Sequence, residues 1–545
     1  MRRRVGAVAA VLLTSALTAT VQQASATTPT PPASPQARSA VANRALSAAA
    51  SHTDAVHGGA GQAFAATDVQ ADDSGITHTR MIRTYQNLPV LGGDFVVHQD
   101  AAGNWLGVDQ TLSQTPSVST TPDVTAAAAA KSAAKATHET AQGTPTLVVE
   151  ARKGTPRLAW QVLTTGKQAD GTPSRESVTV DATNATVLLA SEQVWTLLPS
   201  SGTRAPNGAR PATDAAAPQV AGDGRSLYSG TVPLQTTQSG STYQLKDPTR
   251  GNTYTDNLNG GTGTNGSPMT DSDNHWGNGT TSDPASAAVD AQYGTNQTWD
   301  YYKSVHGRTG IGNDGKGSHN NVHYSRSYNN AFWDDSCFCM TYGDGDGRTF
   351  SPLVSLDVAG HEMSHGVTSR TANLTYSGES GGLNEATSDI FGTSVEFNSN
   401  NPNDVGDYLI GEEIAVGGGA LRYMDKPSKD GASLDCWSSR AASVDVHYSS
   451  GIANHFFYLL SEGSGAKTIN GVSYNSPTCN SSTVTGIGRA AAEKIWYQAL
   501  TAHFTSSTKY KNARTQSLAA AADLYGSTST QYQAVAAAWS AVSVT

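Results

Sequence analysis

The stretch Asp357-Val-Ala-Gly-His361-Glu362-Met-Ser-His365 largely determines the interpretation of this 545-residue chain. On a helix, His361 and His365 lie one turn apart on the same face, so both imidazoles can bind one metal ion. Two imidazoles leave a tetrahedral zinc ion two ligands short, and catalytic sites usually take one further ligand from the protein and one from water. Glu362 would lie beside that open position. The stretch therefore predicts a helix that carries two ligands of a catalytic zinc ion.

The third ligand is predicted in Gly382-Leu-Asn384-Glu385-Ala-Thr-Ser-Asp389, a second stretch at helical spacing. Glu385 offers the carboxylate, and Asp389, one turn further, can accept a hydrogen bond from a ligand histidine and fix its tautomer. An accidental HExxH is expected in roughly one chain in a hundred of this length and composition. Structural zinc sites favour four protein ligands and are usually rich in Cys. The two stretches together favour a catalytic zinc site.

The N-terminus carries the pattern of a secretory signal peptide. Met1-Arg-Arg-Arg4 is basic, residues 5–17 are apolar, and Ala24-Ser-Ala26 is a small-residue cleavage site. No later stretch is long and apolar enough to span a bilayer. We therefore expect residues 1–26 to be removed and the protein to be secreted into the extracellular space.

Composition limits the partners. The length allows three or four domains, and 37% hydrophobic residues are enough for packed cores. A net charge of −10 argues against nucleic acid or an anionic membrane as the main partner. The charge instead fits an extracellular protein that also needs hard cations.

The segment before residue 225 is predicted to form a small α+β unit. Residues 27 to about 75 are rich in Ala, Ser, Thr and Pro and are expected to be poorly ordered. The following segments are predicted as strands or a helix: strands 77–82, 95–98, 158–163 and 177–180, and helix 123–137. No metal-ligand cluster is expected in this unit. Residues 199–224 have the composition of a linker, either an exposed processing site or a plain interdomain connection.

From Arg225 onward the sequence is first sheet-rich and then helical. Strands are predicted at 226–234, 242–246 and 321–325 and helices at 285–306, 353–369 and 383–398, and the last hundred residues follow helical periodicity. The fold class is therefore α+β, with the zinc helix at the junction between a sheet-rich part and a helical part.

This chain resembles the thermolysin-like family of neutral metallopeptidases over most of residues 225–545. Besides 361–389, the likeness lies in Val322-His-Tyr-Ser325, Tyr328-Asn-Asn-Ala-Phe-Trp333, Tyr342-Gly-Asp-Gly-Asp346, Glu379-Ser-Gly-Gly382 and Asp523-Leu-Tyr-Gly526. Residues 85–98, Tyr-Gln-Asn-Leu-Pro-Val-Leu-Gly-Gly-Asp-Phe-Val-Val-His, resemble that family's inhibitory and chaperone-like propeptides. A rival zinc-peptidase branch has a third histidine ligand at the position of Thr371 and is excluded.

The resemblance implies a domain order and a two-lobed enzyme. A propeptide at 27–220 would precede a β-rich catalytic lobe at 221–370 that includes the HExxH helix, and a helical catalytic lobe at 371–545 would follow. The protein would be a secreted zinc-dependent endopeptidase, made as an inactive proenzyme with its own propeptide as inhibitor. Its partners would be protein and peptide substrates, with no nucleic acid or membrane partner, and it would be a monomer.

The resemblance also assigns catalytic roles. One zinc ion would be held by the two histidines and Glu385, and Glu362 would accept a proton from the attacking water and pass it to the departing amine. Tyr376 and His447 would stabilise the oxyanion together with the zinc ion. Asp445, in an Asp-x-His pattern, would orient His447.

Six residues match groups that bind substrate in the family. Asn330, Ala331 and Arg422 would hold the substrate backbone, and Val358, Ile410 and Leu421 would line the S1′ pocket. The apolar character of this pocket implies cleavage on the amino side of Leu, Phe, Ile or Val, although the same three residues would also suit a plain core.

Calcium is the second cofactor that the resemblance implies. Asp357, Glu396, Asp407 and Glu412 match a carboxylate site beside the active-site helix, and oxygen ligands suit Ca²⁺. The loop between Glu396 and Asp407 is longer than in relatives, so at least one ion is expected rather than a double site. Asp271 and Asp273 match a further loop site, for which a solvated polar turn is an equal alternative.

The four cysteines are Cys337, Cys339, Cys436 and Cys479. An even number in an exported chain predicts two disulfides. The first two are so close in sequence that we expect each to pair with a distant partner, but the sequence does not choose between the pairings.

Two other classes of function compete with a peptidase. A secreted zinc protein could bind without cutting, but its expected signature, loss of Glu362 or His447, is absent. A binding module with an accidental HExxH predicts no zinc and no processing near residue 220.

Overall fold

The structure is a computed structural model that describes residues 34–72, 74–200 and 218–545. The predicted signal peptide lies outside the described residues, as does most of the predicted linker. Within the described ranges, no helix combines the length and the apolar character needed to cross a membrane.

The N-terminal unit, residues 34–192, is built from two helices and one large sheet. Its helices are α1 Pro35–Ser51 and α2 Ala126–Thr137, and its strands are β1 Gln62–Ala71, β2 Thr77–Tyr85, β3 Leu88–Leu91, β4 Phe95–Gln99, β5 Trp105–Gln110, β6 Thr140–Glu150, β7 Arg157–Lys167, β8 Pro173–Asp181 and β9 Val187–Glu192. As far as the chain is described, the strand order is β5-β4-β2-β3-β6-β7-β8-β9, with β1 paired to β2. The parallel pair β3/β6 joins two antiparallel halves.

Helix α1 contradicts the expected disorder of residues 27–75. Ser34 caps its N-terminus, and the proline that follows suits the first helical position. Ala45 and Ala49 are fully buried in one apolar cluster with Phe95. Low hydrophobicity indicated disorder, but alanine has high helix propensity and its small side chain allows close packing on the sheet.

The sheet-rich lobe contains helix α3 Pro284–His306 and mostly short strands. These are β10 Val194–Thr196, β11 Gln219–Arg225, β12 Thr231–Ser239, β13 Thr242–Gln244, β14 Lys246–Asp247, β15 Thr253–Asn257, β16 Ser267–Pro268, β17 Thr270–Asp271, β18 His275–Trp276, β19 His319–Tyr324, β20 Ala331–Asp334 and β21 Cys339–Gly343. One sheet has the order β10-β20-β21-β19-β15-β14, and another has the order β17-β13-β12-β11-β18.

Strand β11 corrects two predictions at the start of this lobe. The predicted linker extended to Gly224 and a strand was expected at 226–234, whereas residues 226–230 connect β11 to β12. A Cβ at Gly224 would lie 2.5 Å from Val289 Cγ2. The glycine therefore allows β11 to pack closely on α3, a tertiary requirement that the linker-like composition conceals.

The helical lobe surrounds a long central helix. That central helix is α5 Gly378–Ser399, and α4 Leu356–Ser369, which carries the HExxH stretch, packs against it at the junction of the two lobes. The other elements of the helical lobe are α6 Val446–Ser449, α7 Gly451–Glu462, α8 Arg489–Gln498, a π-helical turn at Ala499–His503, α9 Tyr510–Tyr525 and α10 Thr530–Ala541, with two short hairpins, β22 Leu409–Ile410 with β23 Arg422–Tyr423 and β24 Gly465–Ile469 with β25 Val472–Ser476. Helix α4 begins three residues later than predicted, and α5 begins five residues earlier. One continuous apolar core spans both lobes, and the N-terminal unit has separate cores. The predicted α+β, two-lobed architecture is confirmed.

The disulfides differ from the expected distant pairing. Cys337 is bonded to Cys339 and Cys436 to Cys479. Phe338 between the first pair has a φ of 57°, in the left-handed region, and the Cα atoms of its neighbours lie 5.2 Å apart. That separation is within the normal disulfide range. The turn at Phe338 therefore allows a bond between two cysteines that an extended backbone would hold too far apart.

The N-terminal unit docks on residues 498–507 of the helical lobe through buried polar contacts. Arg80 donates to the carbonyl oxygens of Thr501 and Phe504 at 3.1 and 2.8 Å. Asp94 accepts hydrogen bonds from the backbone and side chain of Ser506, at 2.8 and 2.5 Å. A buried guanidinium is costly unless it is hydrogen-bonded, so the contacts of Arg80 fix the position of the N-terminal unit on the helical lobe.

A histidine and carboxylate network crosses the same interface, contrary to the expectation of no potential metal-ligand cluster in the N-terminal unit. His503 donates to Asp109 at 2.7 Å and to Asp523 at 2.9 Å, and His98 lies 3.0 Å from Asp109 and 2.8 Å from His78. Burial alone would lower the pKa of His503, but the two carboxylates outweigh it and raise that pKa to about 9. Asp109 and His503 are 394 positions apart in the sequence, so only folding brings these groups together.

Candidate active site

Helix α4 presents its two histidines as predicted. His361 and His365 are fully buried, and their Nε2 atoms lie 3.1 Å apart. The Nδ1 atoms point the other way: His361 donates to Asp389 at 2.8 Å and His365 donates to Asn384 at 2.9 Å. Both Nε2 atoms are therefore unprotonated, and their lone pairs face each other.

Helix α5 adds the predicted third ligand to this pair. Glu385 is fully buried, with carboxylate oxygens 3.5 Å from His361 Nε2 and 3.2 Å from His365 Nε2. A tetrahedral zinc ion with bonds near 2.1 Å holds its ligands roughly 3.4 Å apart. Three acceptors at this spacing repel one another unless a cation lies between them. The spacing and donor types thus fit Zn²⁺.

Three buried carboxylate oxygens at the site lack hydrogen-bond partners among the described residues. Neither oxygen of Glu362 is paired, and Oε2 of Glu385 is also unpaired. Burial, followed by the negative charge of Glu385, raises the pKa of Glu362 well above its usual range. Unpaired buried oxygens are costly, so both carboxylates need further ligands, such as a metal ion or water.

The groups predicted to stabilise an oxyanion also lie next to Glu385. Tyr376 donates to Glu385 Oε1, and its hydroxyl lies 3.4 Å from His447 Nε2. Asp445 accepts from the backbone and from Nδ1 of His447, at 3.0 and 2.6 Å. Burial alone would lower the pKa of His447, but Glu385 and Asp445 outweigh it and raise that pKa.

A segment of the chain itself lies in the groove beside these groups. Strand β10 pairs antiparallel with β20, and His447 Nε2 donates to the carbonyl oxygen of Thr196 at 2.6 Å. Arg422 donates to the carbonyl oxygen of Leu197 at 2.7 Å and also makes two hydrogen bonds to Asp389. His447 therefore donates from both ring nitrogens, which is the imidazolium form.

The predicted backbone-binding residues contact the same segment. Ala331 accepts a hydrogen bond from the backbone of Leu197 at 3.0 Å. Asn330 accepts from the Leu198 amide and donates to the Leu198 carbonyl, each at 3.0 Å. These contacts are the ones that an extended peptide makes when it adds a strand to a sheet edge.

The three predicted pocket residues belong to the large apolar core that both lobes share. Val358 and Ile410 are buried, and Leu421 packs against the same apolar cluster. The side chain of Leu197 is fully buried in that cluster. Leu197 therefore shares one continuous apolar core with the three predicted pocket residues.

The predicted calcium carboxylates also lie close together. Oxygens of Glu396, Asp407 and Glu412 lie within 4.8 Å of one another. Asp357 lies beside them, but its oxygens accept from Ser355 and from the Gly411 amide. Burial, and then the mutual repulsion of these groups, raises the pKa of Glu396 and of Glu412.

Sequence reasoning missed two members of the carboxylate cluster and one of the zinc site. Asp404 and Glu413 form a second group with Glu412. One oxygen each of Asp404, Glu396 and Glu412 has no hydrogen-bond partner in the described part of the chain, which fits a hard cation. The longer loop after Glu396 was the sequence signal that could have indicated Asp404. No sequence signal indicated that Asn384 contacts His365.

The second predicted calcium loop has a different arrangement. Asp271 accepts from the backbone amides of Asp273 and Asn274, each at 3.0 Å. No third histidine, cysteine or carboxylate joins Asp271 and Asp273 among the residues that the structure describes. The geometry is that of a polar turn.

Comparison with known proteins gives matches along most of the chain. A family described as the thermolysin metallopeptidase catalytic domain matches residues 221–369, its alpha-helical domain matches 372–544, and the fungalysin/thermolysin propeptide motif matches 62–112. The chain is 52% identical over 495 residues to the transglutaminase-activating metalloprotease of Streptomyces mobaraensis, covering 89% of this chain and 61% of that protein. It is 44% identical over 336 residues to bacillolysin of Brevibacillus brevis, covering 60% and 58% of the two chains.

A third relative is matched almost from end to end. The chain is 36% identical over 498 residues to thermolysin of Alicyclobacillus acidocaldarius, covering 87% of this chain and 85% of that protein. By contrast, the chain spans only about 60% of the length of the first two relatives.

Proposed function

This chain belongs to the thermolysin family of metallopeptidases, and from that premise we propose that it is a secreted zinc-dependent endopeptidase made as an inactive proenzyme. The observation that carries the proposal is the cluster of His361, His365 and Glu385. The two histidine Nε2 atoms and the Glu385 oxygens that face one another are all acceptors. The buried carboxylate of Glu362, the residue after His361, has no hydrogen-bond partner among the described residues. A structural site would not need that additional carboxylate.

The proposed mechanism assigns one task to each residue around the peptide bond. A zinc ion held by the three ligands would act as a Lewis acid on the substrate carbonyl and acidify water. Glu362 accepts the proton of the attacking water and returns it to the departing amine. His447, held by Asp445, and Tyr376 donate hydrogen bonds to the carbonyl oxygen as negative charge develops on it.

Substrate orientation comes from the edge of the sheet and from one arginine. Asn330 and Ala331 bind the backbone of an extended peptide, and Arg422 binds the carbonyl of the residue after the cut. Asp389 holds that guanidinium with two hydrogen bonds, at 2.8 and 2.7 Å, so the donor is preorganised.

The proposed specificity is for an apolar residue on the amine side of the cut, Leu, Phe, Ile or Val. The apolar character of Val358, Ile410 and Leu421, which share a core with the buried Leu197, supports it, because burying such a side chain removes apolar surface from water. A charged residue there would be buried without a partner.

We also propose at least one structural calcium ion. Glu396, Asp404, Asp407 and Glu412 offer oxygen ligands, three of them with an unpaired oxygen. A cation would allow these carboxylates to remain ionised together. Asp357, whose charge acts on Glu396 and Glu412, is a further proposed ligand and also accepts from the Gly411 amide of the adjoining loop.

The test uses the fully processed, secreted protein and a peptide with a single Gly-Leu bond, with products identified by mass spectrometry. Cleavage before Leu is expected, and it should disappear with phenanthroline and in Glu362→Gln. Glu462→Gln is the matched control, because its Oε1 accepts from Tyr408 outside the cleft and glutamine can still accept. An intact peptide, or full activity in Glu362→Gln, would favour a zinc protein that binds without cutting.

A further inference from the structure

The segment Val194–Leu198 lies across the proposed catalytic cleft as an added edge strand. Val194, Trp195 and Thr196 pair antiparallel with Asp334, Trp333 and Phe332 of β20. The Trp195 ring stacks on Tyr376 with centroids 5.8 Å apart and lies 5.3 Å from the ring of His365. The segment therefore passes directly beside the zinc ligands in an extended conformation.

The hydrogen bonds of this segment single out one peptide bond. The carbonyl oxygen of Thr196 accepts from His447, which is charged when both its nitrogens donate. The carbonyl of the next residue, Leu197, accepts from Arg422, and its amide donates to Ala331. The polarising donor thus lies on the acyl side and the orienting donor on the amine side of the bond between Thr196 and Leu197.

The side chain after that bond matches the proposed specificity. Leu197 is fully buried in the apolar cluster that contains Val358 and Ile410. One residue further, Asn330 clamps both the amide and the carbonyl of Leu198. The chain on both sides is held as a substrate would be.

The segment is also anchored on its N-terminal side. Glu192, at the end of β9, accepts hydrogen bonds from the amides of Arg175, Gln193 and Val194, at 2.8 to 3.0 Å. Two of these amides belong to Gln193, just before β10, and to Val194, its first residue. Because the anchor and the cleft belong to one chain, the bond is presented at a high effective concentration.

We propose that Thr196–Leu197 is the first bond that this proenzyme hydrolyses, and that it does so within its own chain; this rests on the proposed function. Water adds to the Thr196 carbonyl carbon, the C–N bond breaks, and the water proton passes through Glu362 to the Leu197 nitrogen. The products are a carboxylate at Thr196 and a new amino terminus, Leu197-Leu-Pro. A cavity of about 520 Å³ lined in part by Thr196, Tyr376 and His447 gives water a route to the bond.

The position of this bond implies a second processing step. The sheet of the catalytic lobe begins with β11 at Gln219, well after Leu197. The first cut therefore leaves an N-terminal extension on the catalytic lobe, which a later cut would remove. Until the anchored N-terminal unit departs, Thr196 and the residues before it still occupy one side of the cleft.

The experiment follows freshly refolded full-length proenzyme by intact mass and N-terminal sequencing. The first large fragment is expected to begin at Leu197, with a first-order rate constant that does not change on dilution. Leu197→Asp should slow this cut by at least about a hundredfold, because a charge would be buried in an apolar pocket. Leu197→Phe should remain within roughly tenfold of the wild type, since the pocket accepts apolar side chains.

Leu106→Asp is the matched control, because Leu106 is 53% exposed on β5 of the same unit and should cut normally. A first fragment that begins elsewhere, a rate that rises with concentration, or normal cutting of Leu197→Asp would each overturn the proposal.

Enzyme matured by a trace of active wild type separates the two hypotheses. If it cleaves the Gly-Leu peptide while the proenzyme is first cut elsewhere, only the processing bond is wrong. If the matured enzyme does not cleave the peptide and the proenzyme does not cut itself, the proposed peptidase function itself fails.

Discussion

Asn384 is expected to control zinc affinity although it is not a ligand. Its Oδ1 accepts from His365 Nδ1 at 2.9 Å, and its Nδ2 donates to the carbonyl of Leu374 at 2.9 Å. Asn384→Ala removes the acceptor that fixes the histidine tautomer and leaves the buried Nδ1–H group unpaired. Loss of such an outer hydrogen bond typically weakens metal binding by 10- to 100-fold, or about 1.4 to 2.8 kcal/mol.

The measurement is zinc affinity by competition with a chromogenic chelator, in a Glu362→Gln background so that the proenzyme stays intact. Ser388→Ala is the matched control, because Ser388 is buried one turn further along α5 and its hydroxyl has no hydrogen-bond partner among the described residues. Asn384→Asp, which keeps the acceptor, should retain most of the affinity.

Equal zinc affinity in Asn384→Ala and Ser388→Ala would refute the reasoning that Asn384 positions the ligand. Melting temperatures of both variants, recorded with excess zinc, show whether general instability explains a loss. A specific loss appears as weaker zinc binding with little change in melting temperature once the site is saturated.

Three further predictions follow from other contacts. Tyr376→Phe in the processed enzyme should lower kcat for peptide cleavage by about 100-fold with little change in KM, because one oxyanion donor is lost. Asp404→Asn should raise the calcium concentration needed for full thermal stability, measured as melting temperature against calcium, whereas Asp300→Asn on α3, whose carboxylate pairs with Arg250, should not. The pKa of His503 is raised above its unfolded value, so its stabilisation is complete below about pH 6.5 and is lost as pH rises through about 9. The Glu362→Gln proenzyme should therefore melt at lower temperature at pH 10 than at pH 8, and His503→Gln should reduce that difference.

Local patterns of the sequence were reliable where the physics is local. The HExxH spacing places two imidazoles on one helical face, and Glu385 with Asp389 follows the same periodicity, so these four groups could be predicted and are brought together. Tyr376 and His447 could be predicted only by resemblance, because 71 residues separate them and no periodicity connects them.

Errors arose where composition or sequence distance substituted for packing. Helix α1 was expected to be disordered because alanine contributes little hydrophobicity, yet small side chains fit closely against the sheet. Cys337 and Cys339 were expected to pair with distant cysteines, but the left-handed backbone of Phe338 between them brings their Cα atoms to a separation that allows a disulfide.

The sequence by itself therefore predicted the fold class, the class of chemistry and the cluster of His361, His365 and Glu385, because helical spacing specifies which side chains share a face. Only the tertiary structure decided which remote groups complete the sites: Asn384 behind His365, Asp404 among the carboxylates, and His503 between Asp109 and Asp523. It also decided what lies in the cleft, because the contacts of Thr196 with His447 and of Leu197 with Arg422 join residues more than two hundred positions apart. Such contacts form when the chain packs, and no local pattern encodes them.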